Sequence, residues 1–533
     1  MSVFSILILA VCGIYLILNF KHDIHMLQQN SYRVRRYFRW LRSDMSSAWR
    51  LIDVALLLLL FATNFLDTRL AALLIAVVCV IKSILILRKK FKKPLVFTHR
   101  VWRIYSLTVL LAAVVVAITI VSTVGRPQIL YAYTSAQVTL GVMLLLAILS
   151  WCVVILALCM LSPVEKIITG RYRKEAMDIL KSMPGLRIIG ITGSYGKTST
   201  KHYLHRILSE HFETLMTPGS YNTPMGVVRT IREMMKPYTE VFICEMGAKQ
   251  KGDIKEICNI VYPQTGIITA VGPMHLETFK TIENVRDTKF ELADALPADG
   301  FLAVNYDFPM CASRKVDNGE CAGYSTVGNP GAAFRATNIR YTSEGSTFVV
   351  EGPDGISLPI STRLVGECNI ANLVAAIAVA LHLGVPADKI IYAAGRIEQV
   401  EHRLNIKRTP GGITVIDDAF NSNPTGSRMA IDVLSHFKDG RRIIVTPGMV
   451  ELGDRQYELN KDFGKYIAHG ADMAFIVGAY NREALLDGLR DSGFPAENIH
   501  TCDSFAQAQA QLATIMKSGD TVLYENDLPD SFK

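Results

Sequence analysis

Apolar residues are distributed unevenly along the chain, because long uninterrupted runs are confined to its first third. Runs able to cross a hydrocarbon core of about 30 Å occupy residues 3–20, 51–65, 70–87, 104–124 and 138–161. The pattern predicts a transmembrane domain of about five helices over residues 1–165. The 51–65 run is short, so together with 70–87 it forms either two spans or a tight helical hairpin.

The rhythm changes after a polar linker predicted at residues 166–185. Short β-branched runs then alternate with amphipathic stretches, which is typical of a parallel α/β sheet with helices on both faces. The fold class expected from the pattern is therefore a membrane α-helical domain followed by a doubly wound α/β part.

Positive charge is concentrated beside the apolar runs. The chain carries a net charge of +8, yet residues 1–165 alone hold 17 Lys and Arg against 5 Asp and Glu. Such cations mark cytoplasmic loops, so we expect the linkers at 21–50 and 88–103 to be cytoplasmic. With the N-terminus outside, five spans place everything after residue 161 in the cytoplasm of a multi-pass inner-membrane protein. Flanking cations also explain the net charge without a basic folded surface, so no nucleic-acid partner is expected.

Hydropathy, the N-terminal residues and the cysteines also indicate a membrane-embedded protein in a reducing compartment. The mean hydropathy of +0.26 is high for a wholly soluble chain. No basic residue precedes Lys21, so the first run is interpreted as a retained anchor rather than a signal peptide. The ten cysteines form no CxxC pair and four lie in apolar runs, which indicates buried free thiols.

One segment has the pattern of a phosphate-binding loop. A predicted strand at 187–191 runs into Thr-Gly-Ser-Tyr-Gly-Lys-Thr-Ser-Thr, and an amphipathic helix follows. Glycines let backbone N–H groups surround phosphate oxygens, Lys197 reaches the β- and γ-phosphates, and Thr198 is placed to ligate Mg²⁺. The strict GxxxxGK[ST] motif fails, since Ile191 replaces its first glycine. The predicted ATP-binding residues here are Gly193, Ser194, Tyr195, Gly196, Lys197, Thr198 and Ser199.

Polar residues also follow two other predicted strands. The run 241–244 ends in Glu245, and the run 267–271 is followed by His275. Ligands gather at the carboxyl ends of strands in open α/β sheets, and a carboxylate suits a hard cation. Glu245 and His275 are therefore candidate Mg²⁺ ligands, although a lone histidine is more often a structural hydrogen-bonding group.

These motifs, in this order, resemble the Mur ligases, the ATP-dependent amide-forming enzymes of peptidoglycan assembly. The likeness is strongest to the branch that adds D-alanyl-D-alanine and covers residues 186–523. The segments that carry it are 192–200, 220–226, 244–248, 272–277, Lys289, 366–372, Arg403, 417–424 and 451–453.

The resemblance implies a domain division and several site residues. It predicts a central P-loop ATPase domain over 186–397 and a Rossmann-like C-terminal domain over 398–533. The lysine matching Lys289 is carbamylated in the family and binds a second Mg²⁺. Asn369 and Asn372 are expected to recognise adenine, while Arg403 and Asp418 are expected to clamp phosphate and ribose. Cys368 departs from the family, which has histidine there.

The implied chemistry is amide formation through an acyl phosphate. ATP phosphorylates a carboxylate, ADP leaves, and an amine or amino acid attacks the acyl phosphate. The expected catalytic residues are Lys197, His275, Lys289 and Arg403, the metal ligands are Thr198, Glu245, His275 and Lys289, and the cofactors are ATP and Mg²⁺. Domain closure over ATP is expected to complete the site.

The substrate side departs from the family pattern. Cytosolic members begin with a domain that holds the UDP end of the substrate, whereas this chain begins with apolar spans, so a lipid-linked or membrane-delivered cell-envelope precursor is expected. Glu525 stands where the D-alanyl-D-alanine enzyme has lysine, which argues for an amine without an acid end or with extra positive charge. The predicted substrate-side residues are Asn222, Asn421, Asn423 and Glu525.

Two alternatives remain open from the sequence. One is D-alanyl-D-alanine addition to the soluble UDP-linked tripeptide precursor, with the spans as an anchor. The other is a membrane transporter or regulator that uses ATP without ligation. The predicted spans contain few ionisable residues beyond Asp53 and Lys82, which is weak support for a transport pathway.

Overall fold

The computed structural model of the 533-residue chain describes residues 2–30, 32–45, 48–61, 68–89, 91, 94–124, 134–342, 345–419 and 422–527. These residues form two compact units, Met1–Gly170 and Arg171–Lys533. The first unit is helical and the second is α/β, in agreement with the change of pattern along the sequence.

The described part of the first unit consists of helices. Their bounds are Val3–Gln29 (α1), Val34–Met45 (α2), Ala48–Phe61 (α3), Thr68–Arg88 (α4), His99–Thr123 (α5), Ser135–Ile148 (α6) and Ser150–Lys181 (α7). Within the described residues, four helices are long and apolar enough to cross a membrane: Val3–Gln29, Arg69–Arg88, His99–Thr123 and Ser150–Lys181. Three of them contain the predicted spans 3–20, 70–87 and 104–124.

Two sequence predictions are corrected in this region. The run 138–161 is two helices, α6 and α7, which meet at Leu149 with φ of −94° and ψ of 19°. The predicted linker 166–185 is helical as far as Lys181, because its Lys, Arg, Glu, Ala and Met residues favour helix. The predicted span 51–65 falls on α3 up to Phe61, and residues 62–65 lie outside the described part.

Buried polar groups join helices inside the first unit. Lys82 on α4 lies 2.6 Å from Asp53 on α3, and the Tyr15 hydroxyl on α1 donates to the same carboxylate at 2.8 Å. Arg50 on α3 lies 2.7 Å from Asp23 on α1. Since each charge is buried beside an opposite charge, these pairs tie α1, α3 and α4 together.

The second unit begins with a large mixed sheet. Among the described residues its nine strands are ordered β2-β3-β1-β4-β5-β6-β7-β8-β9, parallel as far as β7 and antiparallel beyond it. The bounds are Arg187–Thr192 (β1), Thr214–Met216 (β2), Val241–Glu245 (β3), Thr265–Ile268 (β4), Phe301–Asn305 (β5), Glu320–Ser325 (β6), Phe334–Thr342 (β7), Gly345–Glu351 (β8) and Ser357–Thr362 (β9).

Helices cover both faces of this sheet. Lys197–Leu208 (α8) and the alanine-rich Glu367–His382 (α14) pack in one apolar core with Ile189 and Ile243. Helices on the other face belong to a second core with Phe242 and Cys244. The remaining helices of this part are Pro224–Met234 (α9), Asp253–Val261 (α10), Leu276–Phe279 (α11), Ile282–Asp294 (α12), Pro309–Ala312 (α13) and Ala387–Ala394 (α15).

A second sheet follows in the chain. Its six described strands are ordered β10-β11-β15-β12-β13-β14, with only β10 antiparallel to its neighbour. The strands are Asn405–Arg408 (β10), Thr414–Asp418 (β11), Arg442–Thr446 (β12), Met473–Val477 (β13), Ile499–Cys502 (β14) and Thr521–Glu525 (β15). The helices are Pro424–Ser435 (α16), Gln456–Gly470 (α17), Arg482–Asp491 (α18) and Phe505–Ile515 (α19).

Candidate active site

The loop 193–196, here called the glycine loop, joins the central strand β1 to α8. Gly193 has φ of +153° and Gly196 has φ of +81°. A Cβ at Gly196 would lie 2.4 Å from Asn372 Oδ1, and one at Gly193 would lie 2.0 Å from Thr269 Oγ1. Both positions therefore require glycine, and their close packing holds the loop against α14 and the end of β4.

The start of α8 places Lys197 at the N-terminus of the helix. Lys197 Nζ donates to Gly193 O at 2.8 Å. Burial lowers the pKa of Lys197 to about 8, with Glu245 opposing and Arg403 reinforcing the shift. An amine with this pKa stays largely protonated at neutral pH, and a helix N-terminus also attracts anions. The two features together suit a phosphate group.

Glu245, at the end of β3, is surrounded by hydrogen-bond donors. Thr198 Oγ1 lies 3.1 Å from Oε2, Lys201 Nζ donates to Oε2 at 3.0 Å, and Asn222 Nδ2 donates to Oε1 at 3.0 Å. Burial raises the pKa of Glu245, but Lys201, Lys197 and Asn222 outweigh it, so the pKa lies below its ordinary value. The carboxylate is therefore ionised at neutral pH beside the Thr198 hydroxyl.

Lys289 lies on α12 and is 1% exposed. Burial holds the pKa of its amine well below the ordinary value, and the charge of Lys197 lowers it further. No hydrogen bond to its Nζ is formed within the described part of the chain. A buried amine with a depressed pKa loses its proton more readily than a surface lysine does, and carbamylation requires the unprotonated amine.

His275 follows β4 and has a left-handed backbone, with φ of +49°. Its Nδ1 is hydrogen-bonded to Glu451 Oε2, from the loop after β12. Burial lowers the pKa of His275, while Glu451 opposes that shift. The described residues show no direct contact between His275 and Glu245, so the expected joint metal site of these two residues stays a prediction.

The predicted nucleotide residues meet in a cavity between the two sheets, here called the cleft. Arg403 and Asp418 reach it from the second sheet and face the glycine loop and α14. Predicted residues that line the cleft are Tyr195, Gly196, Ser199, Asn369, Asn372, Arg403, Asp418 and Asn423. The sequence motifs thus converge on one cavity.

Asp418 and Arg403 both have shifted pKa values in the cleft. Burial and the neighbouring Glu525 raise the pKa of Asp418 to about 7, although Arg403 and the Leu404 N–H lower it. Burial lowers the pKa of Arg403, and Asp418 and Glu245 oppose that shift. Asn369 is engaged by the fold, since Tyr203 donates to its Oδ1 at 2.9 Å and its Nδ2 donates to Val365 O at 2.9 Å.

The predicted substrate-side residues occupy different environments. Asn222 contacts Glu245, while Asn423 caps α16 by accepting from Gly426 N at 3.0 Å. Glu525 is 1% exposed and accepts from Ser422, from Ser427 at 2.7 Å and from Thr446 at 2.7 Å. Burial raises its pKa and these hydroxyls lower it, with a net increase. Asn421 lies outside the described residues.

Two site residues were missed from the sequence. Lys201 forms a buried ion pair with Glu245, and Glu451 contacts His275. A signal for Lys201 was available, because it lies one helical turn after Lys197 on the predicted helix. Glu451 lies in the 451–453 segment that carries the family resemblance, but its contact with His275 spans 176 positions and has no local signal in the sequence.

Comparison with known families agrees with this geometry. A model of the Mur ligase middle domain matches residues 191–380, and a model of the Mur ligase glutamate ligase domain matches residues 402–524. The chain belongs to the Mur ligase family. Members of this family are ADP-forming, ATP-dependent ligases, and the two matched domains contain the glycine loop and the residues of the cleft.

Similar proteins of this family come from several bacteria. UDP-N-acetylmuramoyl-tripeptide–D-alanyl-D-alanine ligase of Escherichia coli (strain K12) is 30% identical over 345 residues, covering 62% of this chain and 74% of the relative. The enzyme of the same name from Bacillus subtilis (strain 168) is 28% identical, over 55% of this chain and 63% of the relative. The chain thus spans about two thirds of the length of these relatives.

Solved structures show the same likeness. MurF from Acinetobacter baumannii superposes with a TM-score of 0.61 at 26% identity, covering 67% of this chain and 77% of that one. MurF from Thermotoga maritima in complex with ADP gives 0.60 at 25% identity, covering 67% and 80%. The α/β unit therefore has the Mur ligase fold with its mixed sheets.

Proposed function

We propose that this chain is an ATP-dependent ligase that joins an amine or amino acid to a carboxylate of a peptidoglycan precursor through an acyl phosphate. The observation that carries the proposal is the cleft, where Tyr195 and Gly196 of the glycine loop face Arg403 and Asp418 from the second sheet, next to Lys197 at the start of α8. Phosphoryl transfer depends mainly on positioning and charge neutralisation, and these residues supply both.

Each residue has a defined task in the proposed reaction. Lys197 and the N-terminus of α8 bind the phosphates of ATP and neutralise charge as it moves to the leaving group. Arg403 binds phosphate and Asp418 binds the ribose, so ATP holds the two sheets together. The carboxylate substrate takes the γ-phosphoryl group, ADP leaves, and the amine displaces phosphate to form the amide.

The carboxylate of Glu245 and the hydroxyl of Thr198 suit a Mg²⁺ ion as ligands. An ionised buried carboxylate beside a hydroxyl is the sparse protein ligand set that Mg²⁺ uses when phosphates and waters complete its shell. Glu245 and Thr198 would hold the ion, with His275 as a further predicted ligand. When bound, Mg²⁺ supplies charge neutralisation at the phosphates.

Lys289 fits carbamylation. The unprotonated amine attacks CO₂ and releases one proton, which leaves a negatively charged carbamate in place of the amine. The depressed pKa and the burial of the amine support this modification. A carbamate at this position would offer oxygen ligands for a second Mg²⁺ near Lys197.

The helical unit suggests where the acceptor is held. Four helices of the described chain are long and apolar enough to cross a membrane, and the shorter α3 carries most of the predicted fifth span, 51–65. The basic linkers 21–50 and 88–103 lie beside them on the sequence. We infer a multi-pass protein of the cytoplasmic membrane whose ligase domains lie in the cytoplasm. Its carboxylate acceptor would then be a cell-envelope precursor that is lipid-linked or delivered at the membrane.

Glu525 bears on which amine the enzyme selects. A buried carboxylate that accepts from three hydroxyls replaces a lysine that could meet a substrate carboxylate, so we propose an amine without an acid end or with extra positive charge. We expect Glu525→Lys to shift the amine preference toward substrates with a free carboxylate. An unchanged amine profile would contradict this assignment.

Two other functions keep specific support. The named relatives favour D-alanyl-D-alanine addition to UDP-N-acetylmuramoyl-tripeptide, with the helices as an anchor. The buried ion pairs of the helical unit, Asp53–Lys82 and Asp23–Arg50, favour an ATP-driven membrane transporter or regulator.

The deciding experiment is ADP release by the detergent-purified chain with Mg²⁺ and bicarbonate. A panel of amines is crossed with soluble UDP-linked and lipid-linked carboxylate acceptors, and Lys197→Ala serves as the blank. Release that needs both substrates would support a ligase and name the pair. Hydrolysis that ignores every acceptor would favour the ATP-driven membrane protein.

A further inference from the structure

Lys201 is a buried cation to which the proposed reaction assigns no task. Its side chain is fully buried on α8, one turn beyond Lys197. Its Nζ donates to Glu245 Oε2 at 3.0 Å and to the backbone oxygen of Gly219 at 2.7 Å. A single ammonium group therefore joins the candidate Mg²⁺ ligand to a separate loop.

That loop, residues 217–222, is tied to Glu245 at its two ends. Thr217 Oγ1 accepts from the Glu245 backbone N–H at 3.1 Å, and Asn222 Nδ2 donates to Glu245 Oε1 at 3.0 Å. Between these ties, residues 219–221 are exposed to solvent. The loop thus has an exposed middle, and its two ends are held by Glu245 together with backbone hydrogen bonds from Thr217 N to Ile243 O and from Gly247 N to Asn222 O.

The contacts of Glu245 are shared among three donors. Thr198, Lys201 and Asn222 use both of its oxygens, so a cation that binds Glu245 competes for the same lone pairs. Lys201 must then share or yield Oε2 while it keeps Gly219 O. Because a buried ammonium group needs acceptors, a change at Glu245 is passed to the loop through Lys201.

We propose that Lys201 is a positioning residue that couples occupation of Glu245 to the conformation of the 217–222 loop, and so to acceptor binding. The link to the acceptor rests on the proposed ligase function, since Asn222 is a predicted substrate-side residue. The coupling is reciprocal, so acceptor binding at the loop strengthens cation and nucleotide binding at Glu245.

The test compares Lys201→Met with wild type and with Lys255→Met, an exposed lysine on α10. Hydrogen exchange of residues 217–222 is measured for the full chain alone, with Mg²⁺ alone, and with Mg²⁺ and ADP. Affinity for ADP is measured calorimetrically with and without Mg²⁺. Exchange in β13, distant from the loop, reports whether each variant is folded.

In wild type, we expect Mg²⁺ with ADP to change exchange in the loop. In Lys201→Met, loop exchange should rise by about tenfold, as for the loss of a charge-assisted hydrogen bond, and should no longer respond to Mg²⁺ with ADP. Lys255→Met should behave as wild type. If Lys201→Met fails to fold, Lys201→Gln keeps a donor to Gly219 O and should retain loop protection but lose the response.

Either of two results would overturn the coupling: wild-type exchange of the loop in folded Lys201→Met, or a loop response to Mg²⁺ with ADP that is unchanged by the substitution. These readouts need no turnover. Failure to find acceptor-dependent ADP release would therefore remove the ligase proposal alone, whereas an active ligase with a Lys201-independent loop would remove the coupling alone. In an active ligase, loss of the coupling in Lys201→Met should also appear as a raised acceptor KM with a smaller change in kcat.

Discussion

At the scale of single residues, the chemical state of Lys289 decides how many anionic ligands the site contains. Its buried amine has a pKa well below the ordinary value, which favours the unprotonated form that can react with CO₂. We expect Lys289→Ala to lower turnover by about 100-fold or more, through loss of charge stabilisation. Turnover of wild type should fall in CO₂-free buffer and return with bicarbonate.

A carbamate has a direct spectroscopic signature. The wild-type chain in ¹³C-bicarbonate should give a carbamate carbonyl signal that Lys289→Ala lacks. Lys280→Ala, on the exposed turn before α12, is the matched control and should keep the signal. Full wild-type activity in CO₂-free buffer, with no carbamate signal, would show that Lys289 acts as the unmodified amine.

Asp418 predicts how stability changes with pH. Its folded pKa of about 7, raised by burial and by Glu525, exceeds the model-peptide value of about 3.9. The folded chain therefore binds an extra proton between these values, so stability falls as pH rises from 4 to 7 and is flat above 7. We expect Asp418→Asn to add on the order of 2 kcal/mol at pH 8 and almost nothing at pH 4.

Thermal unfolding of both proteins across pH 4 to 8 measures this difference. Asp417→Asn, at the neighbouring position, serves as the control. A stability gap between Asp418→Asn and wild type that is the same at both ends of the pH range would contradict the assignment. ADP affinity of wild type should rise with pH across the same interval, as the carboxylate ionises.

At the scale of elements, the sequence predicts most of the α/β unit but not the helix break at Leu149. Strand β1, the glycine loop and α8 have a local signature, because glycine, β-branched and amphipathic patterns follow each other. Residues 138–161 are apolar apart from Thr139 and Ser150, and no Pro or Gly lies at the break. Hydropathy identifies stretches that can lie in a membrane, but it does not show where one helix ends within an apolar run.

Contacts distant in sequence account for the rest of what the sequence did not predict. The burial of Lys201 against Glu245 depends on the pairing of β1 with β3, which no local pattern fixes. The same holds for Tyr15, Asp53 and Lys82, which lie on three helices. Periodicity places such residues on a helix but leaves their partners open.

The Asp53–Lys82 pair therefore predicts a non-additive effect. Asp53→Leu alone leaves the Lys82 ammonium buried without its carboxylate and should cost about 3–5 kcal/mol. The double variant Asp53→Leu, Lys82→Met replaces the pair by apolar side chains and should recover most of that loss, with only the Tyr15 hydroxyl left without its acceptor. Unfolding of the detergent-purified chain measures both, with exposed Arg88→Ala as a control. Equal destabilisation by the single and double variants would show that the pair does more than neutralise charge.

At the scale of the whole α/β unit, catalysis requires groups from two sheets to act on one substrate. The cleft takes the glycine loop from the first sheet and Arg403 and Asp418 from the second. A second bridge lies outside the cleft, where His275 and Glu451 meet. Since both residues have left-handed backbones, with φ of +49° and +63°, the chain is held in an uncommon conformation on each side of the contact.

The His275–Glu451 contact should link domain closure to the reactive site. Hydrogen bonding to Glu451 fixes which ring nitrogen of His275 carries the proton and leaves Nε2 as an acceptor or metal ligand. That orientation exists only while the two sheets are together, so the histidine is positioned when the cleft is closed. We expect Glu451→Ala to lower turnover by about tenfold or more, measured at a temperature where thermal unfolding shows that the variant is folded. Because the two side chains are only 11% and 20% exposed, loss of the contact should also lower the free energy of unfolding by about 1–3 kcal/mol.

A double-mutant cycle distinguishes this linkage from two separate roles. If Glu451 acts through His275, then Glu451→Ala in a His275→Gln background should cause almost no further loss of turnover. Glu458→Ala, an exposed carboxylate paired with Arg455 on the same side, should leave turnover unchanged. Additive losses in the double variant would mean that Glu451 contributes independently of the histidine, and the closed state would then have to be sensed through Arg403 and Asp418 alone.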